Sequence, residues 1–319
     1  MENDTVGLLT KDARFEGFLL VRSAERKTDK NGRAYVDLNM ADRTGEINGK
    51  IWNWDDLQPV PESGSAILIR GSVQEYNGRL QMKIEKWRAA TETDRVDMNR
   101  LVPSAPRTAA DMRREIEETV ASFTNPELKK LTEEMLRMAG ERLDWFPAAQ
   151  RMHHAERSGL LHHTTDMLGL ARGALAVYPW LNRDLLLAGV IIHDLGKLDE
   201  LKSDRSGNVT DYTRDGQLLG HLVRGITNLN RAAENTGVSG ETIVLLEHML
   251  LSHHGEAEYG SPRPPMFPEA EALHWIDMMD SRMNTMKSAM DKTPEGAFSE
   301  KVYSLERRVY HPNYPKAED

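Results

Sequence analysis

The apolar pattern changes period once along the chain, and that change constrains the fold before any motif is considered. From about residue 13 to 88 apolar and polar residues alternate, as in a half-buried strand. Five strands are predicted there. Phe15 to Arg22 is the first, and in the second Ala34, Val36, Leu38 and Met40 alternate with Tyr35, Asp37 and Asn39. Asp42 to Gly45 turns into the third, where Ile47 and Ile51 share one face and Asn48, Lys50, Trp52 and Trp54 the other. The fourth runs from Ala66 to Tyr76. Asn77-Gly78, a strong hairpin signal, leads to Arg79 to Trp87, with Leu80, Met82 and Ile84 inward.

Five strands in this order suit an OB-fold barrel over residues 1–95. After Trp87 a polar stretch containing Pro103 and Pro106 gives way to helical periodicity. Candidate helices cover roughly 107–123, 126–139, 158–178, 183–195, 218–236, 240–253 and 268–290. The expected fold class is multidomain α and β: the N-terminal five-stranded barrel, a helical linker over 96–125, an all-α domain over 126–300 and a C-terminal tail over 301–319, loose after His311.

Cysteine is absent, so any metal is held by His, Asp or Glu, and cytoplasmic residence fits best. The N-terminus has no basic stretch followed by an apolar one, and the longest strongly apolar run, Leu185 to Ile192, is far short of the ~20 residues of a membrane span. No membrane partner is expected. Of the net charge of −9, residues 1–100 carry almost none, with 16 Lys+Arg against 17 Asp+Glu. An acidic total argues against a generic nucleic-acid coat, yet local basic strips can still follow a phosphate backbone.

Ten of the 11 histidines lie between His153 and His274. Spacings of four, seven and eleven align His163 with Met167, Leu170 and Ala174 on a buried helical stripe. His162 is rotated by about 100° and is expected at the periphery. His193 and Asp194 close the most hydrophobic helix, where an unpaired carboxylate would be costly and a divalent cation would remove that cost. His221 follows Gly220 near a helix start, and His253-His254-Gly255 ends a helix in a glycine cap. On the last long helix Leu273, Asp277, Asp280 and Asn284 share a stripe, so two acids occupy a core face. Buried acids on facing helices imply a shared ion.

The order His163, His193-Asp194, His221, His253-His254, Asp277 resembles the HD superfamily of metal-dependent phosphohydrolases. That resemblance implies an HD domain over 126–300, one metal held by His163, His193, Asp194 and Asp277, and a second by His221, His253 and His254 with Asp194 as bridge. Two cations ~3.5 to 4 Å apart activate water and neutralise phosphoryl charge, so phosphodiester hydrolysis is the chemistry implied. Asp194 and Lys197 are the candidate catalytic residues. Lys197 contacts the scissile phosphate on this reading; the bland alternative is a lysine complementing a helix dipole. Asp280 orients a ligand or replaces Asp277 as one, and His248 and His274 are structural.

The barrel, the linker and the segments Gly216-Gln217-Leu218-Leu219-Gly220-His221 and Leu251-Ser252-His253-His254-Gly255-Glu256 resemble the YhaM family of bacterial 3′-5′ exoribonucleases. The family implies two divalent ions, manganese favoured with iron, cobalt or magnesium as alternatives, acting on the 3′ end of single-stranded RNA and also of single-stranded DNA; a homo-oligomer is allowed. Two features depart from the family pattern: His162 stands where an acid is expected, and Ser203 to Thr213 is longer and more polar. Tyr35, Trp52, Trp54, Arg79 and Lys83 are expected outward for base stacking and phosphate contact, the alternative for each tryptophan being to cap the barrel. His153 and His154 line the nucleic-acid path or are structural. The competing functions are a small-nucleotide phosphodiesterase and a nucleic-acid-binding regulator with a degenerate metal site.

Overall fold

The structure, a computed structural model, describes residues 5–55, 59–150 and 154–314. The chain divides into two compact units, Met1–Ser104 with Asp204–Asn208, and Ala105–Ser203 with Val209–Asp319.

The first unit is a closed five-stranded barrel in the order β1-β2-β3-β5-β4, with β1 (Arg14–Thr28), β2 (Ala34–Asp42), β3 (Gly45–Trp52), β4 (Ala66–Tyr76) and β5 (Arg79–Ala89). β3 and β5 pair in parallel and every other pair is antiparallel. The alternation delivers Val36, Leu38, Met40, Ile67, Ile69, Val73 and Met82 to one core. Asn77 and Gly78 both have positive φ, 50° and 74°, as a two-residue hairpin turn matching strand twist requires. At the barrel's ends one expectation fails, and for Trp54 the alternative of capping the barrel holds. Leu80 keeps the inward parity but is 39% exposed beside that turn. Trp54, expected outward, is only 7% exposed: it follows β3, donates its backbone N–H to Ala34 O and stacks on Trp87.

The second unit packs α1 (Ala109–Ala121), α2 (Pro126–Ala139), α3 (Gly159–Val177), α4 (Arg183–Ile192), α5 (Lys197–Glu200), α6 (Arg214–Thr236), α7 (Glu241–Ser252) and α8 (Pro268–Met290) around one apolar core. Polar caps set the starts: Thr108, Asn125 and Asn182 accept backbone N–H bonds of the first turns of α1, α2 and α4. Met112, Ile116 and Val120 put α1 in this core, so part of the span expected as linker belongs to the helical unit. Two short hairpins accompany the helices among the described residues, β6 (Leu201–Ser203) with β7 (Val209–Tyr212) between α5 and α6, and β8 (Phe298–Val302) with β9 (Arg307–Tyr310) after α8. The second hairpin crosses the boundary drawn at residue 300, so the span expected as tail is ordered as far as Tyr310. Among the described residues no helix is long and apolar enough to cross a membrane.

Candidate metal centre

α4 is buried from Asp184 to Ile192 and is capped by His193, whose Nδ1 lies 2.9 Å from Val190 O. A carbonyl only accepts, so Nδ1 carries the proton and Nε2 is left as a lone pair. His253 repeats the device at the end of α7, with Nδ1 2.9 Å from Leu250 O. α3 supplies the buried His163, and Asp280 on α8 accepts from its Nδ1 at 2.6 Å. α6 breaks at Gly220, where φ is 71°, and restarts at His221. Glu200 accepts from His221 Nδ1 at 3.0 Å. Each of these four rings is turned by a bond from its far nitrogen, the arrangement that orients imidazole toward a metal.

The near atoms fall into two groups joined by Asp194. His163 Nε2 is 3.3 Å from His193 Nε2 and 3.3 Å from Asp277 Oδ1, and Asp194 Oδ2 is 3.6 and 3.4 Å from the two imidazoles. Asp194 Oδ1 faces the other way, 3.6 Å from His221 Nε2 and 3.8 Å from His253 Nε2. His221, His253 and His254 offer ligand atoms all within 4.8 Å of one another. Ligands bonded to one ion at about 2.1 Å stand about 3.0 to 3.4 Å apart in octahedral or tetrahedral geometry, so the first group has the spacing of a coordination shell and the second is slightly wider. Asp194 Oδ1, His221 Nε2 and His253 Nε2 are buried with no hydrogen-bond partner among the described residues. Such atoms are costly unless a cation meets them, and the donor set fits a divalent ion.

Charge favours the same reading. Burial, reinforced by His254 and His193, holds the His253 imidazole well below its ordinary pKa, and burial with His221 lowers His254, so both rings stay neutral. Asp194 lies well below the carboxylate range: burial opposes ionisation, and Lys197 and His193 outweigh it. Burial likewise opposes a charged His163, but the bonds to Asp277 and Asp280 raise it to about 10, marking a position that favours positive charge. Lys197 Nζ stands 2.6 Å from Asp194 Oδ2.

All seven residues expected as ligands therefore come together, and Lys197 touches their shared carboxylate. Asp280 bonds to His163 rather than replacing Asp277. His274 bonds to His253 O, and His248 accepts from Met266 N–H. His154 Nε2 reaches Asp280 at 2.8 Å, while His153 lies outside the described residues. His162 is not peripheral, since it contacts His154, Glu156 and Asp166. Glu200 was not anticipated; its only signal is an acid one short turn after Lys197.

On the barrel the Tyr35 and Trp52 rings lie 4.9 Å apart, with Trp52 42% exposed. Lys50 Nζ stands 5.3 Å from the Tyr35 ring centre, 5.5 Å from Trp52 and 5.8 Å from Tyr76. Lys83 pairs with Lys50 across the β3–β5 ladder, and both Arg79 and Lys83 are exposed. Lys50 and Tyr76 join the surface expected from the sequence, and Trp54 leaves it.

Residues 19–90 match the family described as tRNA_anti-codon, OB-fold nucleic acid binding domain. The 3′-5′ exoribonuclease YhaM of Geobacillus sp. (strain WCH70) is 41% identical over 298 residues, 92% of this chain and 90% of the relative. The 3′-5′ exoribonuclease YhaM of Bacillus subtilis (strain 168) is 37% identical over 301 residues, 94% and 95% of the two chains, and that of Bacillus pumilus (strain SAFR-032) is 35% identical over 308, 96% and 97%. At such identity and near-complete mutual coverage, the chain belongs to the YhaM family of 3′-5′ exoribonucleases.

Proposed function

We propose that the protein is a metal-dependent 3′-5′ exonuclease of the HD type that removes nucleotides from single-stranded RNA, with single-stranded DNA as a second substrate, in the cytoplasm. The observation that carries this reading is the Asp194 carboxylate, one oxygen facing His163 and His193, the other facing His221 and His253. His163, His193 and Asp277 hold one divalent cation and His221, His253 and His254 another, manganese favoured. When bound, such a pair supplies a nucleophilic water at neutral pH and neutralises charge on the phosphoryl group.

The protein's own groups do the rest. Val190 O, Leu250 O, Asp280 and Glu200 fix the four imidazoles in the tautomer whose near nitrogen is a lone pair. Lys197 balances Asp194 and offers an ammonium to a non-bridging phosphate oxygen. On the barrel, Tyr35, Trp52 and Tyr76 stack on bases irrespective of sequence, and Lys50, Arg79 and Lys83 follow the backbone.

The test is incubation with Mn²⁺ and 5′-labelled single-stranded RNA or DNA. A ladder of shortening products is expected, and Asp194→Asn should abolish it. An intact strand beside an active control enzyme overturns the proposal, and turnover of free nucleotides alone would replace it with a small-molecule phosphodiesterase.

A further inference from the structure

A second cluster of donor atoms lies beyond Asp280, on the segment that leads into α3 and on its first turn. His154 Nε2 is 2.8 Å from Asp280 Oδ2, and His162 Nε2 is 3.2 Å from Asp166 Oδ2. Ionised carboxylates only accept, so each ring places a proton on Nε2, and His154 turns its Nδ1 inward as a donor of electrons. The two Nδ1 atoms stand 3.0 Å apart. Glu156 Oε1 joins them, 2.7 Å from His162 Nδ1 and 3.9 Å from His154 Nδ1. Asn284 Nδ2 is 3.4 Å from His154 Nδ1, a weak contact with one of the three atoms.

His162 Nδ1 thus faces two electron-rich atoms at close range, and without a metal its proton lies between them, accepted by Glu156. A metal ion that displaces this proton is bonded to all three atoms together. A triangle with these sides has a point about 2 Å from every corner, the length of a bond from a transition-metal ion to imidazole nitrogen or carboxylate oxygen. The surroundings are those of a built site. The His154 side chain is fully buried, those of His162 and Glu156 are 13% and 22% exposed, and both histidines have the carboxylate behind the ring that typifies metal ligands.

We propose that His154 Nδ1, Glu156 Oε1 and His162 Nδ1 bind a further divalent transition-metal ion, separate from the pair around Asp194. His154 Nδ1 and Glu156 Oε1, 3.9 Å apart, then stand on nearly opposite sides of the ion, so the set suits a six-coordinate divalent ion with water in the remaining positions. The ion acts as a positioning device: it locks His154 against Asp280, and Asp280 in turn holds His163. The site does not depend on what the Asp194 centre catalyses.

The test is metal counting on full-length protein stripped with chelator, reloaded with Zn²⁺ and desalted, for wild type, His162→Gln and Glu156→Gln, with circular dichroism to confirm folding. One ion fewer per chain in the folded variants than in wild type is expected, with the ions at Asp194 retained. Equal counts overturn the proposal whatever the wild-type total, so failure of the two-ion reading at Asp194 does not decide it. Should neither variant fold, anomalous diffraction from Zn²⁺-loaded wild-type crystals decides. A peak within bonding distance of all three atoms is expected, and none there overturns the proposal.

Discussion

Replacing Gly196 with alanine asks how closely α6 must approach the His193-Asp194 turn for the metal centre to form. A Cβ at this position lies 2.2 Å from His221 O and 2.8 Å from Gly225 N, where ordinary contact begins near 3.4 Å. Both obstacles are backbone, which cannot swing aside as a side-chain tip can, so the turn and α6 must part by roughly 1 Å. Overpacking of this kind costs about 1–3 kcal/mol. The displaced segment carries His221, whose Nε2 sits 3.6 Å from Asp194 Oδ1, and misplacing a reacting constellation by about 1 Å costs on the order of 100-fold in rate. Urea denaturation should show the stability loss, and initial rates on 5′-labelled RNA at saturating Mn²⁺ the loss of activity. Gly169→Ala is the control. Nothing lies within 4 Å of a Cβ there, and the same change inside α3 should stabilise by about 0.5–1 kcal/mol. If Gly196→Ala keeps wild-type stability and rate, the close approach does not position His221 and the reasoning fails.

Trp52 and Trp54 should separate cleanly. Trp52→Ala is expected to weaken single-stranded RNA binding by about 1–3 kcal/mol, read by fluorescence anisotropy, at unchanged barrel stability. Trp54→Ala should destabilise the barrel by about 3–5 kcal/mol, and equal effects of the two on binding would contradict the burial of Trp54. Asp184 accepts bonds from Thr124 N, Thr124 Oγ1, Asn125 N and Arg183, and those from Asn125 and Thr124 outweigh burial to hold its pKa below 3.8. Asp184→Ala should therefore cost about 2–3 kcal/mol near neutral pH. Because the folded value is depressed, that contribution is full above the unfolded value and fades as pH falls through the folded one; a penalty unchanged in strong acid would contradict it. Lys197→Ala should slow hydrolysis about 100-fold while the bound ions remain, and a full rate without the ammonium would remove Lys197 from the phosphate.

Much of the centre was legible because its ligands obey two simple rules. His163 lies on the apolar stripe of its helix, and His193-Asp194 ends a run too hydrophobic to be anything but core, so both could be placed inward without coordinates. What escaped depends on tertiary paths. Trp54 has the parity of the outer face, but it lies past the end of β3, where the chain turns over the barrel and parity stops deciding direction. Glu200 meets His221 only because a four-residue helix folds back after Gly196. His162 was misjudged because its partners Glu156 and His154 come from the preceding loop, and a helical wheel carries no information about a loop. The β8–β9 hairpin is short and mixed in polarity, so neither period marks it.

Anomalous diffraction from crystals grown with Mn²⁺ tests the central claim most directly. Two peaks about 3.5–4 Å apart are expected astride the Asp194 carboxylate, one bonded to His163, His193 and Asp277 and the other to His221, His253 and His254. A single peak beside Asp194, with His221, His253 and His254 bound to no metal at saturating Mn²⁺, would contradict a centre of two ions joined by that carboxylate.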